Sequence, residues 1–189
     1  IDAIEAGRIA AAMIQRGRPR TFAPDLLPDP HKQWEDEQVA AWMQANDMTY
    51  AENPEGRWFS LRYTCDNADF RMIIDVSDEP KGPKLLIFAH YPVRVPEARR
   101  QVVAELLSRI NGSIWLGCLA LDVRDGEVSV RTAMPIDDGT ITEGQLEHLF
   151  FTTLNLADRS LPGVCAAAFG GVAPDVAFEM GQVPAREGP

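Results

Sequence analysis

Polar and apolar residues alternate with a period of two over residues 57–65 and 69–76, and this alternation predicts two β-strands. A shorter extended segment, 48–51, precedes them, and Asn-Pro-Glu-Gly and Asp-Asn-Ala-Asp turn sequences separate the three. Residues 84–91 are apolar on both sides instead, which is typical of a strand that is covered on both faces. The pattern therefore predicts an antiparallel meander.

Two further strands are predicted between residues 114 and 135, joined at Asp125-Gly126. An Asp-Gly pair between apolar runs favours a two-residue hairpin turn, because glycine accepts the positive φ that other residues resist. The outgoing strand alternates and has one polar face, whereas the incoming strand is apolar on both sides. We therefore expect this hairpin in the inner part of the sheet, with cover on both faces.

Apolar residues recur every three or four positions in three segments, which predicts three helices. The first spans 34–46, and the second begins at Pro96 and is closed by Asn111-Gly112. The third follows Thr142-x-x-Gln145, the pattern of a capping box. Pro162-Gly163 predicts a break or kink, with a short helix or turn after it that ends at Gly170-Gly171 and little pattern from Val172 onward.

The ends of the chain differ in composition from its middle. Residues 1–17 are alanine-rich and predict a short amphipathic helix, and three prolines between residues 21 and 30 predict a linker. We therefore divide the chain into an N-terminal helix and linker (1–33), an α+β domain (34–181) and a tail that we expect to be disordered (182–189).

Charge and cysteine content narrow the choice of partners. The net charge of −10 repels nucleic acid and anionic lipid, so we expect neither as a partner. No apolar stretch reaches the roughly 18 residues that span a membrane, and no secretory signal is visible. The 3 cysteines lack CxxC spacing, which favours reduced thiols and a cytoplasmic location.

The sequence offers little catalytic chemistry. It has 3 histidines and lacks GxSxG, HExxH and glycine-rich phosphate-loop motifs, so we predict no catalytic, cofactor or metal site. An alternative is a ligand-binding protein or enzyme with a pocket near Cys118 or His90, in which Cys118 or Cys165 acts as nucleophile beside that histidine.

Large aromatic residues on the predicted strands suggest a binding surface instead. We predict Trp58, Phe88 and Trp115 as partner-binding residues, since a sheet with two strands apolar on both faces cannot leave one face bare. The cover could come from the protein's own helices, residues 1–17, a second copy of the chain or a client polypeptide.

The order of elements, together with WLGCLALDVRDGEVSVRTAMPID and TEGQLEHLF, resembles the YbjN family of bacterial sensory-transduction regulators. The resemblance covers about residues 34–180 and implies a fold similar to type III secretion chaperones. It implies an antiparallel sheet of five to six strands flanked by helices, here with an extra N-terminal helix. It further implies a homodimer that binds or regulates other proteins, with no catalytic residue to carry over.

Overall fold

The computed structural model describes residues 32–53, 58–79, 82–136 and 141–181. The helix and linker predicted before residue 32 and the tail predicted after residue 181 lie outside this part of the chain. Within it there are four α-helices and six β-strands. They are α1 (Lys32–Ala45), β1 (Tyr50–Asn53), β2 (Trp58–Thr64), β3 (Asp69–Glu79), β4 (Gly82–Arg94), a 3-10 turn (Glu97–Arg99), α2 (Arg100–Ser113), β5 (Cys118–Leu121), β6 (Glu127–Pro135), α3 (Glu143–Phe169) and α4 (Pro174–Met180).

The six strands form one antiparallel sheet in the order β1-β2-β3-β4-β6-β5. The predicted α+β class and the antiparallel meander are therefore confirmed. The two central strands are longer than the alternation indicated, because β3 runs on to Glu79 and β4 to Arg94. These two strands are the longest of the sheet and lie at its centre.

The position predicted for the β5-β6 hairpin is wrong. Strand β5 is short and forms the edge of the sheet, and only β6 reaches the interior of the sheet, beside β4. Gly117 has a φ of 95°, which interrupts the extended chain, so Ile114–Leu116 lie before the strand and not in it.

The predicted two-residue turn at Asp125-Gly126 is also wrong. The backbone N–H of Asp122 donates to the C=O of Glu127 at 2.8 Å, and four residues, 123–126, lie between the two. A type I′ turn needs positive φ at both central residues, whereas here only Gly126 has it, at 81°. The Val95 N–H donates to the Gly126 C=O at 2.8 Å, so the longer loop is fastened to the end of β4.

Asn111 lies inside α2 and does not end it, which corrects the predicted closure at Asn111-Gly112. Its side chain pairs with the edge strand: the Leu119 N–H donates to Oδ1 at 2.8 Å, and Nδ2 donates to the Leu119 C=O at 3.0 Å. The Asn111 amide thus makes the two hydrogen bonds that another strand would make to Leu119. Without them, the backbone N–H and C=O of Leu119 would be unpaired at the edge of the sheet.

Helix α3 is continuous through Pro162, so the predicted break is wrong, while its capping box at Thr142 and Gln145 is confirmed. Proline lacks the N–H that would bond the C=O of Asp158. Asn67, in the β2-β3 turn, supplies the missing donor through Nδ2 at 3.2 Å, and its backbone N–H also donates to the Asp158 carboxylate at 2.9 Å. A contact remote in sequence therefore offsets part of the cost of the proline.

Helix α4 forms where little pattern was expected. A Cβ atom at Gly163 would lie 2.4 Å from the carbonyl oxygen of Ala177, so only glycine lets α3 and α4 approach this closely. Ala177 is fully buried as a result. The packing that stabilises α4 is therefore set by a glycine 14 residues earlier in the chain.

The helices pack on one face of the sheet and enclose the hydrophobic core. Two hydroxyl pairs fasten α3 to that face: Thr132 with Thr153 at 2.6 Å, and Tyr91 with Ser160 at 2.5 Å. These buried polar groups are thus satisfied. Desolvation raises the pKa of the Tyr91 phenol, so it stays neutral against the core.

Candidate binding face of the sheet

Residues that alternate with the core positions form the second face of the sheet, which we call the open face. None of its apolar side chains packs against the core cluster, and each is half-buried or exposed. Its described members are Trp58, Ser60, Arg62 and Thr64 on β2; Asp69, Arg71, Ile73 and Asp75 on β3; Lys84, Leu86, Phe88 and His90 on β4; Glu127, Ser129, Arg131, Ala133 and Pro135 on β6; Cys118 and Ala120 on β5; and Ala51 and Asn53 on β1.

Strand register places four large apolar side chains of this face together, and we call them the apolar patch: Trp58, Ile73, Leu86 and Phe88. Ile73 lies directly opposite Phe88, and Trp58 and Leu86 both flank Asp75. All four are half-buried, and none is part of the hydrophobic core. The predicted binding residues Trp58 and Phe88 thus share one surface.

Trp115, the third predicted binding residue, does not project from a strand. It lies in the bend between α2 and β5, and its relative exposure of 103% means that it contacts almost nothing in the described chain. The structure therefore separates Trp115 from the apolar patch by its position in the fold, although it leaves the side chain available to a partner.

Arginines surround the apolar patch. Arg62, Arg71 and Arg131 are exposed. Among the residues that the structure describes, no carboxylate lies within 4.0 Å of these three guanidinium groups. Three carboxylates also lie on this face, so its basic part is limited to these arginines. This part of the face favours the approach of an acidic group.

A cleft of about 420 Å³ lies at the end of the open face. Three adjacent strands contribute Arg62, Arg71 and His90 to it, in one row across the sheet. Glu127 accepts a hydrogen bond from His90 Nδ1 at 2.8 Å and also binds Arg94 at 3.1 Å. We call this the basic cleft; it is lined further by Asp69, Tyr91, Pro92 and Val93.

The loop beside the basic cleft is held by ion pairs. Arg94 bonds Asp125, and the Arg124 side chain donates to Asp122 at 2.6 Å. This hydrogen bond, with a second from the Arg124 N–H at 2.9 Å, lowers the pKa of the Asp122 carboxyl to about 2. The negative charge of Asp122 is therefore favoured in the folded loop.

We expect Asp122 to titrate near pH 2 in the folded protein, well below its usual 3.8. Because its pKa is depressed on folding, its contribution to stability is present above about pH 4 and is lost as the pH falls toward 2. Carboxyl ¹³C NMR across this range measures the shift. In Arg124→Gln the pKa should rise toward the usual value, and an unchanged midpoint would contradict the assigned hydrogen bonds.

The structure does not bring the alternative catalytic residues together. Cys118 lies in the row of Arg131 and Phe88, two strands from β4, and it does not line the basic cleft that contains His90. Burial raises the pKa of the Cys165 thiol, and it raises that of Cys65 to about 11. Thiols held in the protonated form are poor nucleophiles. The geometry therefore gives no support to a cysteine nucleophile assisted by His90.

The described ranges contain neither a candidate metal site nor a candidate membrane-spanning helix. Three or more His, Cys, Asp or Glu side chains are nowhere grouped there so that they could hold a metal ion. The helices of that part of the chain also fall short of the combination of length and apolarity that a membrane crossing requires.

The adjacent arginines on β2 and β3 were missed in the sequence, because their pairing depends on the exact position of the turn. Residues that pair across a hairpin are symmetric about its turn, and the observed turn at 65–68 places Arg62 opposite Arg71. The turn predicted at 66–69 is centred one residue later and would place Arg62 opposite Ile73 instead. Two like charges in direct cross-strand contact are unusual, because they destabilise the pair. Such a pair can therefore be recognised only once the exact position of the turn is known.

Comparison with known proteins identifies the family. The YbjN family model, described as "Putative bacterial sensory transduction regulator", matches residues 35–166, more than half of the chain. This chain belongs to the YbjN family. The resemblance suggested by the sequence is thus confirmed, and the description of YbjN proteins as regulators agrees with a regulatory module.

The solved structures that are similar at low identity include the crystal structure of YbjN, described as "a putative transcription regulator from E. coli". The two share 19% sequence identity with a TM-score of 0.47, and the match covers 62% of this chain and 82% of that chain. No curated protein matches the chain significantly.

Proposed function

We propose that this YbjN-family protein is a non-enzymatic regulatory module that binds a segment of another protein on its open face. The observation that carries the proposal is the apolar patch, four large side chains that lie outside the core and near arginines that form no ion pair with any described carboxylate. Aromatic residues and arginine are enriched at protein interfaces, and tryptophan and arginine are among the residues that contribute most to the binding free energy.

The occupant that fits this face is a segment with apolar side chains among Asp and Glu residues. Its apolar groups would cover Trp58 and Phe88, and its carboxylates would meet Arg62, Arg71 and Arg131, for which arginine offers bidentate geometry. The same charges argue against a second copy here, since docking through this patch would bring the arginines of both copies near one another. The homodimer predicted from the resemblance would then use another surface.

The test is direct binding of defined peptides to the full chain. A dye-labelled peptide that alternates Leu or Phe with Asp or Glu should bind, whereas the same peptide with Lys in place of the acids should not. We expect Phe88→Ala and Trp58→Ala each to weaken binding by about 30-fold, the effect of losing a typical interface anchor. Fluorescence anisotropy measures both affinities.

Phe169→Ala is the matched control, because Phe169 is exposed at the end of α3 and away from the sheet. Trp115→Ala separates the third predicted residue from the patch, and binding should be unchanged if the patch is the site. Equal binding of acidic and basic peptides would contradict the proposal. So would a dimer, measured by light scattering, that Phe88→Ala dissociates, since the patch would then be the dimer interface.

A further inference from the structure

We propose that the basic cleft binds a phosphate group, either free in solution or carried by a partner protein. Arg62, Arg71 and His90 are the residues that would recognise it. The proposal goes beyond the binding of a protein segment, because the basic cleft lies at the end of the open face and its chemistry does not require the apolar patch.

The two arginines lie in direct register on β2 and β3, and His90 continues the row on β4. Cross-strand partners have Cα atoms about 4.5–5.5 Å apart, so two guanidinium groups can converge on one anion. Like charges in that position repel and destabilise the sheet. A bound anion would remove this repulsion, and within the described chain no carboxylate does so.

Two carboxylates also line the basic cleft, and neither neutralises the arginine pair. Glu127 is occupied by His90 and Arg94, which it binds through different oxygens. Asp69 lies opposite Thr64 in the register and forms no ion pair with either arginine in the described part of the chain. The third lining arginine, Arg94, is paired with Asp125 and Glu127, so the positive charge available in the basic cleft comes from Arg62 and Arg71.

Phosphate fits this arrangement better than a carboxylate does. One guanidinium satisfies both oxygens of a carboxylate, whereas a phosphate group presents three or more oxygens and can accept from two guanidinium groups at once. The volume of about 420 Å³ also exceeds what a bare phosphate needs. It lies within the range of pockets that hold small organic ligands, so an esterified phosphate can enter.

Isothermal titration of the full chain with inorganic phosphate, and with acetate at equal ionic strength, tests the chemistry. We expect phosphate to bind and acetate to bind at least tenfold more weakly. Arg71→Gln and Arg62→Gln should each lower the phosphate affinity at least tenfold, and Arg71→Lys should restore only part of it, because lysine cannot form the fork. Both positions are exposed, so these variants should fold.

Arg109→Gln is the control, since Arg109 lies on α2 and pairs with Glu105 away from the sheet. A second arm compares a phosphoserine peptide with its unphosphorylated form. Tighter binding of the phosphopeptide than of free phosphate identifies a partner's phosphate as the ligand, and the reverse identifies a small phosphate compound; both outcomes support the site. Phosphate affinity that Arg62→Gln and Arg71→Gln leave unchanged overturns it, as does equal binding of acetate.

Failure here is distinguishable from failure of the proposed function. Phe88→Ala should leave phosphate binding unchanged, because Phe88 does not line the basic cleft. Acidic peptides could bind the apolar patch even if phosphate does not bind the basic cleft. Likewise, phosphate could bind the basic cleft even if acidic peptides do not bind the apolar patch.

Discussion

Replacing Phe150 with alanine is expected to lower the free energy of unfolding by about 3–5 kcal/mol, the cost of removing a fully enclosed aromatic ring. Phe150 on α3 is completely buried. Its ring meets Trp42 of α1 at 5.3 Å between centroids, Tyr63 of β2 at 5.5 Å and Phe151 at 5.3 Å, all edge-to-face. The substitution therefore leaves a cavity where two helices and the sheet meet.

Urea denaturation followed by circular dichroism measures the loss, and Phe169→Ala provides the control with the same chemical change. Phe169 lies on the same helix but is 57% exposed, so its truncation should cost less than about 1 kcal/mol. Similar losses in the two variants would show that Phe150 does not join α1 to the sheet in the way the contacts indicate. The comparison also reports whether α1 belongs to the cooperative unit.

Local signals in the sequence predicted the parts of the fold that depend on neighbouring residues. The alternation in β2 and β3 determines which side chains are buried, and burial of one face fixes the register. The capping box at Thr142 likewise depends on a residue three positions away. Such features need no knowledge of tertiary packing.

The features that the sequence missed depend on contacts between distant residues. Pro162 breaks an isolated helix, but here Asn67 bonds the carbonyl that the proline leaves unpaired. Helix α4 has a weak pattern of its own and is stabilised where Gly163 allows a close approach. Asn67 and Gly163 both lie outside the segments that they stabilise. Local propensity within those segments therefore gave the wrong prediction in both places.

The residues of the apolar patch and the basic cleft divide in the same way, into those that local patterns predict and those that depend on contacts between strands. Phe88 could be predicted because its strand is apolar on both sides and only one side faces the core. Trp58 could be predicted because it lies on the side of β2 opposite Phe59 and Leu61. The basic cleft could not be predicted from any one strand, because its row joins Arg62, Arg71 and His90 through the register of β2, β3 and β4. Trp115 was placed on a strand because the positive φ of Gly117 was not anticipated.

Replacing Gly126 with alanine is expected to destabilise the protein by about 2–4 kcal/mol, from two causes that add. The residue has a φ of 81°, a conformation that costs an L-amino acid about 1–2 kcal/mol. A Cβ atom there would also lie 2.2 Å from the Val95 carbonyl oxygen, so the backbone at the end of β4 must move. That movement would strain the hydrogen bond from the Val95 N–H to the Gly126 C=O.

Gly112→Ala is the matched control for this substitution, since a Cβ atom at Gly112 in α2 has nothing within 4 Å. It should stabilise the protein by about 0.5–1 kcal/mol, because alanine favours the helix and restricts the unfolded chain. Urea denaturation should therefore give shifts of opposite sign for one chemical change. If Gly126→Ala does not lower the midpoint, the close contact between the β5-β6 loop and β4 is wrong. Arg94 and Glu127, which flank that contact, would then lose the support that positions them beside the basic cleft.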